Sequence, residues 1–166
     1  MSATKNQVRR TEPRPAPSRA PRWAPLATLP LSIAGLGVST YLTYMHYTAP
    51  TARSCPDTGL INCTKVTTSP ESMLFGHIPV ALAGALFFLG MAVLCLPAMW
   101  RRPEPVISWG RLAGAVAGVA MVVWLVYVEL VRVDAICLWC TVVHVIAFVL
   151  FVAVVAATVW QPLGED

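Results

Sequence analysis

"AICLWCTVVHVIAFVLFVAVVAATVW", residues 135–160, contains no Lys, Arg, Asp or Glu. A helix rising about 1.5 Å per residue needs ~20 apolar residues to cross ~30 Å of hydrocarbon, so this stretch reads as a membrane span. At its head stands a Cys-x-x-Cys pair, Cys137 and Cys140. Working outward, three further apolar stretches lie at 25–45, 78–100 and 112–128. With their flanks they predict spans over about 25–47, 77–100, 106–129 and 135–160. The expected fold is all-α: an integral membrane four-helix bundle whose extracytoplasmic loop carries a short helix. One domain, 25–161, would hold it, between a disordered, basic, Pro-rich tail at 1–24 and a short tail at 162–166.

Composition agrees. Charged residues are 12% of the chain and hydrophobic residues 57%, and the mean hydropathy is +0.65. A soluble domain carries about twice that charged fraction. The net charge of +4 does not indicate a nucleic-acid partner, since no basic stripe with interleaved aromatics follows a phosphate backbone. Lys5, Arg9, Arg10, Arg14, Arg19 and Arg22 precede the first span, and Arg101, Arg102 and Arg111 lie between the second and third. Only Arg53, Lys65 and Arg132 fall on the opposite side. The positive-inside rule places both termini in the cytoplasm and the loops 46–77 and 129–136 outside, as in a multi-pass cell-membrane protein. The first apolar run exceeds a signal-peptide core, and no small-x-small cleavage site follows it at once.

Of the five cysteines, Cys55, Cys63, Cys137 and Cys140 fall at the outer face. An even number of thiols in an oxidising compartment suggests disulfides. Cys95, near the opposite end, reads as a small buried hydrophobe. Asp134 reads as the N-cap of the last helix, making Ala135, Ile136 and Cys137 its first residues. Residues three apart share a helix face, so the two sulfurs can meet, and the helix N-terminus favours a Cys137 thiolate. A purely structural bridge there would close almost no loop and stabilise little. Cys55 and Cys63 sit in "SCPDTGLINCTKV" (54–66), rich in turn formers, where a pair can move. One fixed pair and one mobile pair on one face suit a thiol–disulfide relay, which proceeds through mixed disulfides. A four-cysteine zinc site is the weaker alternative, because a second tight Cys-x-x-Cys is missing, and no metal is expected.

A relay needs an electron sink. The chain has neither a nucleotide-binding glycine fingerprint nor a haem-attachment motif, whereas the lipid phase offers a quinone, menaquinone or ubiquinone. His144, four residues after Cys140, lies on the same helix face, and an ionisable side chain within a span marks a functional site by default. Ser69, Pro70 and Glu71 read as N-cap, N1 and N2 of a short helix, with Met73, Leu74 and Phe75 as its apolar face and Gly76 as its end. Glu129 and Arg132, three apart, read as an interfacial ion pair.

These residues resemble the bacterial branch of the vitamin K epoxide reductase family, over roughly residues 26–160. The resemblance rests on Cys55 and Cys63 with seven residues between, "NC" at 62–63, Ser69 six beyond, "GHIPVALAG" (76–84) opening the second span, and "CLWC" (137–140) on the last helix. The order discriminates: in DsbB, the other quinone-coupled disulfide generator, the tight pair comes first. The resemblance implies that Cys140 passes electrons to the quinone, that Cys137 exchanges with the loop, most directly with Cys63, and that Cys55 meets the outside partner. Ser69 and His144 would bind the quinone. The partner would be a separate DsbA-like or thioredoxin-fold protein, since the chain ends six residues past Trp160 without a fused domain of that kind. His144 stands where the animal branch has tyrosine, so epoxide reduction does not carry over by resemblance. The expected function is a membrane thiol–disulfide oxidoreductase supporting disulfide bond formation. The alternatives are a quinone or vitamin K epoxide reductase, and a non-catalytic, disulfide-stapled membrane subunit. Whether the resting bridge is 55–63, 137–140 or 63–137 is open at this level.

Overall fold

The structure is a computed structural model that describes residues 20–48, 55, 58–74, 76–102 and 104–160. Residues 1–19 of the expected N-terminal tail, the whole of 162–166 and Phe75 lie outside the described residues. Helix α1 spans Trp23–Thr48 and is followed by the short α2, Cys63–Thr67. A 3-10 turn at Pro70–Ser72 leads into a two-stranded antiparallel hairpin, β1 Met73–Leu74 and β2 Ile78–Pro79. Helices α3 (Val80–Leu94), α4 (Pro97–Trp100), α5 (Pro105–Tyr127) and α6 (Leu138–Val159) complete the chain, with a π-helical segment, Val128–Val133, between α5 and α6. The fold is all-α and of membrane type. Among the described residues three helices have the length and apolarity to span: α1, α5 with its π-helical extension, and α6.

The second apolar stretch does not form one long helix. Helix α3 covers 15 residues, or about 22 Å at 1.5 Å per residue, and Cys95 caps it. Pro97 causes the break, because its ring clashes with the carbonyl four residues earlier and pushes Leu96 out of the helical region. Leu96 has φ −55° and ψ 142°, and Pro97 then starts α4 at its first position.

Helices α1 and α3 pack most extensively, followed by α1 with α6 and α5 with α6. The buried side of α1 is a seam of small residues, Ala24, Thr28, Ser32, Gly35 and Ser39. Small residues let helices approach closely where lipid supplies no hydrophobic drive between them. A Cβ on Gly35 would collide with the ring of Phe88, which is 1% exposed. Two hydroxyls on this seam are satisfied within α1: Thr28 donates to the Ala24 carbonyl at 2.7 Å and Ser32 to the Thr28 carbonyl at 2.8 Å. Phe88, Met91, Leu150 and Val154 form the core between α3 and α6.

Two local expectations are corrected. Asp134 does not cap the last helix. It adopts a left-handed conformation, φ 49° and ψ 50°, and ends the π-helical segment, a role its short polar side chain tolerates. Residues 135 and 136 are drawn instead into backbone pairing with the outer loop: Ile136 N–H donates to Leu60 at 2.7 Å and Asn62 N–H donates to Ile136 at 3.1 Å. The helix therefore starts at Leu138. The second correction concerns 73–76, where Met73 and Leu74 form a strand rather than a helical face. Gly76, at φ 74°, makes the turn that returns the chain to Ile78. The turn before it forms with Ser69 at the cap and Pro70 first, but the Ser69 hydroxyl donates back to the Val66 carbonyl at 2.7 Å.

Candidate functional site

Asn62 caps α2 by accepting the Lys65 N–H on its side-chain oxygen at 2.8 Å. This fixes Cys63 as the first residue of a helix tied through Asn62 to the strand before α6. Cys63 is 1% exposed and bridged to Cys55. Of the three bridges left open by the sequence, the structure therefore holds 55–63, and Cys137 and Cys140 are not bridged. Cys63 and Cys137 belong to one apolar cluster with Val66, Val128, Val133 and Ala135, against which Cys55, Cys140 and Trp139 pack. Two pairs far apart in sequence are thus neighbours.

Cys137 is the N-cap of α6, in extended backbone conformation at φ −99° and ψ 114°. Its sulfur accepts the Cys140 N–H at 3.3 Å, doing what a Ser or Asp oxygen does at other helix starts. The Cys140 side chain also hydrogen-bonds it. That bond holds the Cys137 thiol below its ordinary value, against the opposing effects of burial and of the Glu129 charge.

A pocket of about 100 Å³ opens beside Cys140, between α1, α3, the outer loop and the ends of α5 and α6. Ser69 and His144 both line it, as do Ser39, Gly84 and Glu129. Most of the remaining wall is apolar, including Leu42, Val66, Leu125, Val128 and Val143. An apolar slot with a few convergent polar groups suits a flat ring carrying polar oxygens. His144 is 8% exposed, and no described residue hydrogen-bonds its ring. Among the described residues no group of three metal-ligating side chains forms.

The expected Glu129–Arg132 pair is absent. Arg132 reaches Glu71 instead, at 3.5 Å, and Glu129 turns inward, 6% exposed. The π-helical winding explains the swap: with hydrogen bonds five residues apart, residues three apart no longer share a face. The Glu129 side chain lies beside the Cys140 thiol and the Cys137 backbone and shares the pocket wall with Cys140. The sequence carried a signal for this residue. Glu129 is the sole acid between Pro105 and Val133, and an acid inside a span is a functional candidate by default.

At the opposite end of the bundle, Cys95 is fully buried beside Thr28, Ser32 and Arg111. Arg111 is itself 3% exposed, with its guanidinium 3.4 Å from the centre of the Trp100 ring.

No curated protein matches the chain. Comparison with known families aligns residues 26–155 with "Vitamin K epoxide reductase family". That range takes in α1, both cysteine pairs, the pocket and nearly all of α6. Membership implies an oxidoreductase of the membrane with thiol–disulfide and quinone-linked chemistry. With four-fifths of its length inside the match, the chain belongs to the vitamin K epoxide reductase family.

Proposed function

We infer that the protein is a membrane thiol oxidase, which takes electrons from an extracytoplasmic DsbA-like or thioredoxin-fold dithiol and delivers them to a quinone. The observation that carries this reading is the placement of a bridged pair, Cys55–Cys63, and a dithiol pair, Cys137 and Cys140, in one apolar cluster, with Cys140 in the wall of a ring-sized pocket. The partner's dithiol would reduce Cys55–Cys63 through a mixed disulfide at Cys55. The Cys63 thiolate would then attack Cys137 of an oxidised 137–140 bridge, releasing Cys140 as thiolate. Closure of the second bond, 55–63, leaves the loop bridged and the helix pair reduced, the combination this structure holds. A bound quinone supplies an acceptor for two electrons and two protons. Cys140, Ser69 and His144 would hold it, the last two as hydrogen-bond partners of its oxygens. With nine basic residues on the side of the termini, both ends would be cytoplasmic and the relay would face outward. The membrane domain would run over about 25–161.

The test is quinone reduction by membranes supplied with a reduced thioredoxin-fold protein, repeated on the four single-cysteine variants. Each variant should lose turnover, and Cys137→Ala should leave a mixed disulfide between the loop and the partner on a non-reducing gel. Undiminished turnover in Cys140→Ala would sink the assignment.

A further inference from the structure

The relay moves two electrons out of Cys137 and Cys140, and two protons must leave with them. The described structure holds one buried carboxyl group beside this pair. Glu129 sits on the π-helical turn, 6% exposed, and faces the same pocket as Cys140. The Cys140 thiol and the Cys137 backbone lie beside it. Its cationic neighbour in sequence, Arg132, is engaged by Glu71. Among the described residues no salt bridge neutralises Glu129. A carboxyl in a pocket wall shared with Leu125, Val128 and Val143, without a cation, is costly to keep charged.

The geometry points to Glu129 as the catalytic proton carrier of the Cys137–Cys140 pair, receiving the Cys140 proton as the S–S bond forms. In that step Cys137 reacts as the thiolate, its proton already given to water, and Cys140 gives its proton to Glu129. One S–S bond forms, and two electrons pass to the oxidant, which under the function above is a quinone and draws its second proton from water. Glu129 holds the Cys140 proton and hands it to an oxygen of that oxidant across the pocket. The other titratable groups lining the pocket are His46 on α1, Glu71 on the 3-10 turn and His144 on α6. The assignment of the oxidant rests on the function proposed above. The assignment of Glu129 to the thiols rests on its contacts alone.

Two measurements on the full chain in detergent separate these. The first uses no quinone: the reduced pair is labelled with iodoacetamide across pH, and Cys137 is read by mass spectrometry. A Glu129 that ionises next to the pair opposes the Cys137 thiolate, so Glu129→Gln moves the labelling half-point to lower pH. The second is single-turnover oxidation of the reduced pair by a short-chain quinone. Glu129→Gln slows it by about 10²-fold, the usual contribution of a general base, and flattens its rise with pH. Glu129→Asp, which keeps the carboxyl, holds the labelling half-point near wild type and recovers part of the rate. A thiol that ionises more readily yet is oxidised more slowly is not what a purely structural role produces. An unmoved half-point, or a wild-type oxidation rate in Glu129→Gln, overturns the proposal. If the wild-type protein itself is not oxidised by quinone, the proposed function fails and the labelling experiment alone decides Glu129. Should Glu129→Gln not accumulate, the pH profile of Glu129→Asp decides: a rise with pH displaced from wild type supports the carrier, and a superimposable profile overturns it.

Discussion

The two ends of the bundle each bury a charged side chain beside a cysteine, and they treat it in opposite ways. At one end Arg111 is stacked on the Trp100 ring, and Cys95 beside it is sealed by Thr28 and Ser32. At the other end Glu129 and Cys140 share the wall of a cavity that His144 also lines. The first arrangement resembles a plug, in which the cation is held by an aromatic face and the thiol has nowhere to react. The second leaves room for a molecule to enter. Burial of a charge is therefore not by itself the mark of a working site; a cavity next to it is.

The sharpest way to break this contrast is to exchange the cysteines. Cys140→Ala should reduce quinone turnover to background, whereas Cys95→Ala should leave it within about twofold, as expected for a residue outside the reacting set. Comparable losses in both would erase the distinction. Next in size is the seam that holds both ends in register. Gly35→Val drives side-chain atoms into Phe88 and should lower stability by about 1–3 kcal/mol, the cost of overpacking, seen as a lower midpoint in thermal unfolding in detergent. An unchanged midpoint would show that α1 and α3 can part without cost. Smaller still is Arg111→Leu, which loses the stacking on Trp100. It should lower the unfolding midpoint by the equivalent of about 1–2 kcal/mol while turnover per folded molecule stays intact.

The pH behaviour of the pair sharpens the comparison further. The Cys137 thiol is held low chiefly by the Cys140 side chain, so its thiolate persists below the ordinary thiol range and is lost only as pH falls through the lowered value. Cys140→Ala should therefore raise the half-point of Cys137 alkylation. A half-point that stays put would mean that burial and the helix end alone set it. The smallest effect belongs to the surface: Arg132→Ala breaks a largely exposed ion pair with Glu71 and should cost no more than about 1 kcal/mol, measured by the same unfolding assay.

Much of this was legible from the sequence because lipid imposes few solutions. The long uncharged run from Ala135 to Trp160 has only one economical conformation in hydrocarbon. What escaped was local backbone geometry. Asp134 is a good cap residue by type, but the backbone of Ala135 and Ile136 was claimed by a pairing with Leu60 and Asn62 that no local pattern announces. The inward turn of Glu129 depends on π-helical winding, which has no composition signature, so an i, i+3 rule applied to Glu129 and Arg132 gave the wrong partner. The break before Pro97 was missed by the span drawn over 77–100, although proline's missing N–H and the strain it places on Leu96 follow from its ring alone. Ser69 and His144 line one cavity from the outer loop and from α6, a placement that only their packing together defines.

The short parallel bridge between Ile61 and Ile136 has a kinetic consequence. It holds the residue before Asn62 against the residue before Cys137, so Cys63 and Cys137 share a fixed frame. Two thiols on an untethered loop and a helix would have to find each other on every cycle, at the entropic expense of closing the long chain segment between them. Here that entropy is lost once, when the protein folds. Under the proposed function, bringing Cys63 to Cys137 would then need side-chain torsion rather than loop diffusion. The slow search is thereby left to the encounter at Cys55, and the rate of the whole relay should follow the concentration of whatever arrives there.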